Sequence, residues 1–195
     1  VRMHRIWKII KNKQLKNPDL TKKYIYFPLQ YQPECTTLPL GGFFREQLFA
    51  IELLSKYLPE NWVVYVKEHP SQFLVRSRTK PLPKRNTQHF RSVMFYKRLL
   101  QLKNVQFVDR KIPSERLIDN SVAVATITGT AGFEAMLRNI PSIIFGHPWY
   151  KLCKGILRVK DDKTMKEVLD RLKNNKVEIN PDNAKVCLKV KEEII

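Results

Sequence analysis

Acidic residues are scarce in this 195-residue sequence, which contains 18 Asp and Glu against 36 Lys and Arg. The resulting net charge of +18 is extreme for a chain of this size. A field of this sign favours an anionic partner, and nucleic acid, a phosphorylated small molecule and an acidic membrane surface all qualify. Charge therefore narrows the class of partner without choosing among these three.

Cysteine is also scarce, with three residues, Cys35, Cys153 and Cys187, that lie far apart. An odd number without metal-ligand spacing is typical of a reduced, cytosolic chain. We therefore expect all three thiols to stay reduced and to have no role beyond packing. The four histidines lack ligand spacing too, so no protein-bound metal is predicted.

Long apolar runs are absent, and no stretch reaches the roughly 18 residues that a membrane span needs. A signal-peptide pattern is absent as well. The glycine-rich signatures GxGxxG, GxxxxGKS and GxxxxGKT do not occur, and no serine–histidine–carboxylate order is present. These absences exclude a membrane-spanning segment, a Walker-type nucleotide site and a serine-hydrolase triad.

Strand-like and helix-like segments alternate along most of the chain, and a hydrophobic content of 43% is enough for a packed core. The predicted strands are 24–28, 63–67, 105–109, 121–129, 141–146 and 156–159, and the predicted helices are 43–58, 90–102, 113–120, 130–139, 161–175 and one from about residue 181. This alternation predicts a parallel sheet with helices on both faces. The predicted fold class is α/β, a doubly wound, mainly parallel, Rossmann-like sheet.

Two segments stand outside this pattern. Residues 1–21 are basic and weakly amphipathic, which favours a linker or interdomain helix over a membrane-surface helix. Residues 71–90 are polar, basic and aperiodic, and are interpreted as a surface loop. The predicted division is therefore a basic segment, 1–21, followed by one Rossmann-like domain, 22–195.

Three unusual sequences leave the ends of predicted strands: KEHP at 67–70, TGTAGFEA at 128–135 and GHPWY at 146–150. The carboxyl ends of parallel strands meet at one edge of a sheet, where doubly wound folds bind ligands. The three loops are therefore expected to line one site.

The sequence TGTAGFEA has the clearest chemistry of the three. Thr128, Gly129 and Thr130 are small, so backbone amides at a helix start can approach a phosphate closely. Glu134, in the first turn, could accept hydrogen bonds from a ribose diol. The alternative is an ordinary strand-to-helix turn that Thr130 caps, with Glu134 as a solvated charge.

The sequence KEHP adds His69, which can donate a hydrogen bond to phosphate in either protonation state, and Lys67, which adds positive charge. A structural role for His69 is the alternative. The second His-Pro pair, at His147, has the same status. Trp149 and Tyr150 could form an aromatic wall against a base, or belong to the core.

With KEHP, TGTAGFEA and GHPWY in this order, and YIYFPLQYQPE before them, residues 22–160 resemble the bacterial capsule polysaccharide biosynthesis proteins. That family includes Kdo transferases and is similar to GT-B glycosyltransferases. The resemblance implies a carboxy-terminal half that binds a nucleotide sugar, CMP-Kdo being the expected donor.

The resemblance also implies residue roles. His69 and the loop of Thr128, Gly129 and Thr130 would contact the donor phosphate, and Glu134 would face the ribose. Gln30 and Gln32 would line the cleft near the donor.

The catalytic group cannot be assigned to any residue of this sequence, because in such transferases an amino-terminal acceptor domain supplies the catalytic carboxylate. We therefore expect a donor-binding part of a larger transferase, inactive without that domain. No cofactor is expected beyond the donor substrate. The expected partners are a nucleotide-sugar donor, a lipid-linked or glycan acceptor and the anionic inner membrane surface, with a cytoplasmic, peripheral location.

Other functions remain open on the same residues. The fold also suits a CDP-polyol phosphate transferase or a nucleotide-sugar epimerase-like domain. The basic loop and the aromatics Phe90, Phe95 and Tyr96 would suit a nucleic-acid-binding module, although no recognised motif is present and nucleic acid is not the expected partner. An interaction domain without activity is the remaining alternative.

Overall fold

The computed structural model describes residues 10–32, 37–72 and 91–194. The first nine residues of the predicted basic segment, and residues 73–90 of the predicted basic loop, lie outside these ranges. The strands are β1 (Tyr24–Pro28), β2 (Val63–Lys67), β3 (Val105–Val108), β4 (Ala123–Thr126), β5 (Ser142–Ile144) and β6 (Ile156–Arg158). The helices are α1 (Gln47–Tyr57), α2 (Val93–Gln101), α3 (Ser114–Asp119), α4 (Ala131–Leu137), α5 (Asp162–Lys173) and α6 (Pro181–Ile194).

The six strands form one parallel sheet in the order β3-β2-β1-β4-β5-β6. This is the doubly wound order of a Rossmann-like domain, so the predicted fold class is confirmed. The predicted helix 43–58 begins later than expected, because Glu46 has extended backbone angles of φ −81° and ψ 94°. A 3₁₀ turn, Gly42–Arg45, precedes that break, and α1 follows it.

Side chains that alternate along the buried strands divide the core between the two faces of the sheet. In β1, Ile25 and Phe27 belong to the larger cluster, which also contains apolar residues of α1, α2 and α5. Tyr24 and Tyr26 belong to the cluster on α3 and α4, and the Tyr24 hydroxyl donates to the Leu117 carbonyl at 2.8 Å. A shift of one residue in strand register would exchange these two sets, so the core fixes the register.

The described part of the predicted basic segment packs on the domain. Ile10 is buried in the larger core cluster. Leu15 forms a parallel bridge with Val108, donating from its N–H to the Phe107 carbonyl at 2.7 Å and accepting from the Asp109 N–H at 3.0 Å. This short contact pairs part of the exposed backbone of edge strand β3.

Two of the three cysteines are joined, because Cys153 and Cys187 form a disulfide with Cα atoms 6.0 Å apart. The expectation that all three thiols stay reduced is therefore wrong for this pair. The two cysteines are 34 residues apart in the sequence, so the sequence does not indicate that they meet. In the fold, the loop after β5 and helix α6 contribute to one apolar cluster, which also contains Phe133, Met136 and Ala184. The bond links α6 to that loop.

None of the helices in the described ranges combines the length and the apolar composition that a bilayer crossing requires.

Candidate functional site

The carboxyl ends of β1 and β4 mark the point at which the strand order changes direction. After β1 the chain moves to β2 on one side, and after β4 it moves to β5 on the other. The loops that leave these two strands therefore diverge and open a crevice above the sheet. Gln30 leaves β1 and Thr128 leaves β4, so both lie at this switch point.

Gln30 and Thr128 are hydrogen-bonded to each other twice across the switch point. The Gln30 Nε2 donates to Thr128 Oγ1 at 2.9 Å, and the Thr128 N–H donates to Gln30 Oε1 at 2.9 Å. Gln47 of α1 holds the Gln30 backbone, accepting from its N–H at 2.8 Å and donating to its carbonyl at 3.1 Å. All three residues are buried, so the base of the crevice is rigid.

The loop between β4 and α4 approaches its neighbours too closely for a larger residue at position 129. The Gly129 N–H donates to Thr126 Oγ1 at 3.1 Å, and a Cβ at Gly129 would lie 2.8 Å from that same oxygen. The Tyr150 hydroxyl donates to the Gly129 carbonyl from the other side. Burial raises the pKa of Tyr150, so this hydroxyl keeps its proton. The loop backbone is thus held by β4 on one side and by the loop after β5 on the other.

Thr130 and Glu134 lie at the exposed start of α4. The Thr130 side chain makes no capping hydrogen bond to the helix backbone, so it does not have the simple capping role that was the alternative. Its hydroxyl instead donates to Glu134 Oε1 at 3.2 Å. The two side chains present one hydroxyl and one carboxylate together beside the loop.

Lys67 ends β2, but its ammonium group turns toward the loop between β3 and α3. The Nζ donates to the Ile112 carbonyl at 2.5 Å and to Ser114 Oγ at 2.9 Å. Burial lowers the pKa of Lys67. The residue therefore joins the end of β2 to the start of α3.

His69 follows two residues later and is half-buried. Its Nδ1 accepts from the Ser71 N–H at 3.1 Å, so in the neutral ring Nε2 carries the hydrogen. The ring also packs edge-on against Tyr31, with centroids 5.7 Å apart. The local backbone therefore fixes the ring orientation and the neutral tautomer.

Glu68, between these two residues, forms a buried ion pair that the sequence interpretation missed. Arg91 Nε lies 3.2 Å from Glu68 Oε2, and both side chains are fully buried. The Tyr96 hydroxyl of α2 donates to the same carboxylate oxygen. Arg91 also donates to the Gln30 carbonyl at 2.9 Å and to Gln32 Oε1 at 2.8 Å. The pair therefore connects the ends of β1 and β2.

Gln32 is part of this network. Its backbone N–H donates to Gln72 Oε1 at 2.9 Å, its carbonyl accepts from Gln72 Nε2 at 2.9 Å, and its own Nε2 donates to the Arg45 carbonyl at 2.7 Å. Gln30 and Gln32 are thus buried supports beneath the crevice. The pattern QxQ after a strand was the sequence signal for this network, since two amide side chains that are buried near a strand end need hydrogen-bond partners.

The loop GHPWY leaves β5 at the same edge. The Gly146 N–H donates to the Ile127 carbonyl at 2.9 Å, and the His147 N–H donates to the Leu40 carbonyl at 3.0 Å. Tyr150 is buried against Phe133, whereas 42% of Trp149 is exposed. Tyr150 therefore belongs to the core. Because all the strands are parallel, the three loops KEHP, TGTAGFEA and GHPWY leave the same edge of the sheet, as predicted.

Within the described residues, no group of three or more His, Cys, Asp or Glu side chains is arranged to hold a metal ion.

The sequence profile of the family described as "Capsule polysaccharide biosynthesis protein" matches residues 4–180. The chain belongs to this family. The match covers β1 to α5, and so includes every strand and each of the three loops at the carboxyl edge. No curated protein sequence matches the chain.

Solved structures show the same fold at low sequence identity. UDP-GlcNAc 2-epimerase from Methanocaldococcus jannaschii aligns with a TM-score of 0.55 and 11% identity, over 97% of this chain and 50% of the epimerase. KpsC from Thermosulfurimonas dismutans, a β-Kdo 2,7 transferase, aligns with a TM-score of 0.52 and 18% identity, over 86% of this chain and 51% of KpsC. Anabaena Alr3699/HepE, solved with UDP and glucose, aligns with a TM-score of 0.54 and 10% identity, over 99% and 50%.

The chain thus spans about half the length of these three proteins. The chain is a member of the capsule family, and it shares a Rossmann-like fold with the Kdo transferase KpsC.

Proposed function

We propose that this domain binds the nucleotide-sugar donor of a glycosyltransferase that builds capsule or surface polysaccharide, with CMP-Kdo as the donor. The observation that carries the proposal is the switch point, where Gln30 and Thr128 fix the loop of residues 128–130 at the carboxyl edge. Ligands of doubly wound sheets bind at this place. Membership of the capsule family and the fold shared with a Kdo transferase support the choice of donor.

In this proposal the donor phosphate contacts the backbone of the 128–130 loop and the hydroxyl of Thr130. His69 donates to the phosphate from Nε2, since Nδ1 already accepts from the Ser71 N–H. Glu134, held beside Thr130, accepts from the ribose hydroxyls. Gln30 fixes the loop from beneath, Gln32 accepts a hydrogen bond from Arg91, which in turn donates to the Gln30 carbonyl, and Lys67 contributes its charge. Transfer itself requires an acceptor domain that supplies the catalytic carboxylate.

Calorimetric titration of the 195-residue chain with CMP, UDP and CDP at one salt concentration tests the proposal. CMP should bind most tightly, and His69→Ala should weaken CMP binding about tenfold or more, as expected when a hydrogen bond to a charged group is lost. Lys185→Ala, which removes an exposed charge on α6, is the matched control and should bind CMP normally. Equal CMP affinities for His69→Ala and the unaltered chain would refute the role of His69.

A preference for UDP would favour the second candidate, an epimerase-like domain, for which the fold shared with UDP-GlcNAc 2-epimerase is the supporting observation. A preference for CDP would favour polyol-phosphate transfer. Tighter, salt-sensitive binding to random RNA than to any of the three nucleotides would favour a nucleic-acid-binding module.

The acceptor side of the proposal places the domain at an anionic membrane surface, on the cytoplasmic side. Phe43 and Met94 are 75% and 61% exposed, and Phe43 stacks on Phe49. Arg98 lies over the Phe49 ring. Two further exposed basic residues are Arg45, in the same 3₁₀ turn as Phe43, and Lys97, in α2 with Met94. Exposed aromatics combined with basic side chains suit an interface with anionic lipid.

Co-sedimentation with vesicles tests this contact. The unaltered chain should bind phosphatidylglycerol-containing vesicles more strongly than pure phosphatidylcholine vesicles, and Phe43→Ser should weaken that binding. Leu152→Ser is the control, because Leu152 is 88% exposed but lies in the loop after β5. Equal losses in both variants would refute a specific role for Phe43.

A further inference from the structure

A second basic site lies at the carboxyl edge, on the side of the sheet formed by β5 and β6. Arg158 is the last residue of β6 and pairs in register with Ile144, the last residue of β5. His147 follows three residues after Ile144, and its N–H is anchored to the Leu40 carbonyl at 3.0 Å. The two basic side chains therefore leave adjacent strands at the same edge.

The side chains of His147 and Arg158 touch each other. Arg158 Nη2 lies 3.1 Å from both ring nitrogens of His147, and both residues are exposed. A guanidinium group has five N–H donors and no acceptor, and one imidazole cannot satisfy all of them. Within the described ranges, no carboxylate forms an ion pair with either side chain.

The charged groups that shift the pKa of His147 are all positive. Arg158 lowers this pKa most, followed by desolvation and by the charges of Lys151 and Lys160. The nearest carboxylates along the chain are engaged elsewhere, because Asp161 accepts from the Thr164 N–H and Asp162 pairs with Lys56 at 2.7 Å. The cluster therefore has a surplus of positive charge that a bound anion would neutralise.

The cluster is adjacent to the proposed donor loop. A Cβ added at Gly146 would lie 2.7 Å from the Thr128 side chain, so the residue before His147 packs directly on that loop. Arg158 is well suited to a planar, two-oxygen anion, because the guanidinium group can donate two parallel hydrogen bonds.

We propose that His147 and Arg158 form an anion subsite, separate from His69, that binds a carboxylate or a phosphate group of the sugar ligand. A sugar-acid carboxylate and a phosphoryl group share this chemistry, and both would reach the site from the adjacent loop. The identity of the ligand as a sugar rests on the proposed function, whereas the anion site itself does not.

The imidazole of His147 provides a direct reporter. The pKa of His147 is measured by NMR in the full 195-residue chain, with chloride replaced stepwise by acetate or by inorganic phosphate at constant ionic strength. His147→Asn assigns the signal. A bound anion should raise the pKa of His147 by about one unit in a saturable way, as a nearby opposite charge does.

Two variants that each remove one positive charge distinguish anion binding at this site from general screening of the protein's charge by salt. Arg158→Gln should abolish the saturable rise, and Arg171→Gln, at an exposed position in the last turn of α5, should preserve it. Saturation by acetate alone assigns a carboxylate ligand, and saturation by phosphate alone assigns a phosphoryl ligand. A pKa that does not saturate with either anion, or that responds equally in Arg158→Gln, overturns the proposal.

The experiment contains no nucleotide, so its outcome is independent of CMP binding. If CMP binds through His69 but the pKa of His147 does not respond to either anion, the subsite is wrong and the proposed function stands. If the pKa of His147 responds but no nucleotide binds, the anion site stands and the donor assignment fails.

Discussion

Gln30 and Thr128 exchange two hydrogen bonds of 2.9 Å across the point where the strand order changes direction. The amide of one residue therefore satisfies both the backbone N–H and the hydroxyl of the other. This pairing joins the loop after β1 to the proposed phosphate loop, residues 128–130. The position of the phosphate loop therefore depends on the side chain of Gln30.

Gln30→Met should weaken both folding and nucleotide binding. Methionine has a similar size but leaves the Thr128 N–H without its present acceptor, which costs about 1–3 kcal/mol for a buried group. Calorimetry should find CMP affinity reduced about tenfold or more. Asn104→Leu is the control, because the Asn104 amide bonds to the Ser55 carbonyl at 2.8 Å before the start of β3, at the opposite edge of the sheet. Equal CMP affinities in the two variants would contradict the positioning role of Gln30.

Arg91→Met should destabilise the domain strongly, because the Glu68 carboxylate would remain buried without its partner. Breaking a buried ion pair costs about 3–5 kcal/mol. For a chain of this length, this corresponds to a thermal midpoint lowered by roughly 6–20 °C in a calorimetric scan. The double variant Glu68→Gln with Arg91→Met should recover part of the loss, and an additive double variant would contradict the pairing.

The alternation of strand and helix patterns was enough to predict the sheet, because each buried strand in a doubly wound fold is a short apolar run. The convergence of KEHP, TGTAGFEA and GHPWY followed from the same topology. Helix starts were less predictable. Glu46 breaks the predicted helix through its own backbone angles, and hydrophobic spacing carries no information about such a break.

The partners of the polar residues were beyond prediction from one sequence. Glu68 and Arg91 are 23 residues apart, and Gln30 and Thr128 are 98 apart. Local pattern says nothing about pairs this distant, since only the packed sheet brings them together. Lys67 shows the same limit, because its position at a strand end was correct but its ammonium group faces Ile112 and Ser114.

Ser142→Ala should leave the free energy of unfolding unchanged or raise it by about 1 kcal/mol. Within the described residues the Ser142 hydroxyl is buried and has no hydrogen-bond partner, which is a cost that alanine removes. Ser121→Ala is the control, because the Ser121 hydroxyl donates to the Ile118 carbonyl at 2.8 Å and its loss should destabilise. Urea denaturation measures both variants. A clear loss of stability in Ser142→Ala would reveal a partner for its hydroxyl.

Reduction of the Cys153–Cys187 disulfide should lower the stability of the oxidised protein. The bond closes a sequence separation of 34 residues, for which chain-entropy models give ~3–4 kcal/mol. Thiol labelling of the denatured, unreduced protein should detect one thiol, that of Cys35, and labelling after reduction should detect three. Cys187→Ser should remove the effect of reductant on the thermal midpoint. Three reactive thiols before reduction would contradict the pairing.

Stability should fall steeply above about pH 10, because tyrosines that are buried in the fold ionise when the chain unfolds. Burial raises the pKa of Tyr26, Tyr96 and Tyr150 above the ordinary value. Below pH 10 both states hold these protons and the contribution is complete. As the pH rises past the unfolded value of about 10, only the unfolded chain releases them, so each tyrosine removes up to about 1.4 kcal/mol per pH unit.

Urea denaturation between pH 8 and pH 11.5 measures this dependence, and absorbance at 295 nm follows tyrosinate formation. Tyr26→Phe removes one titrating group at the cost of a single long hydrogen bond to Ser114, 3.3 Å, and should flatten the alkaline slope. Tyr57→Phe is the control, because Tyr57 is only partly buried in the fold. If the slope is the same in all three proteins, Tyr26 ionises as readily in the fold as in the unfolded chain, and its burial does not govern alkaline unfolding.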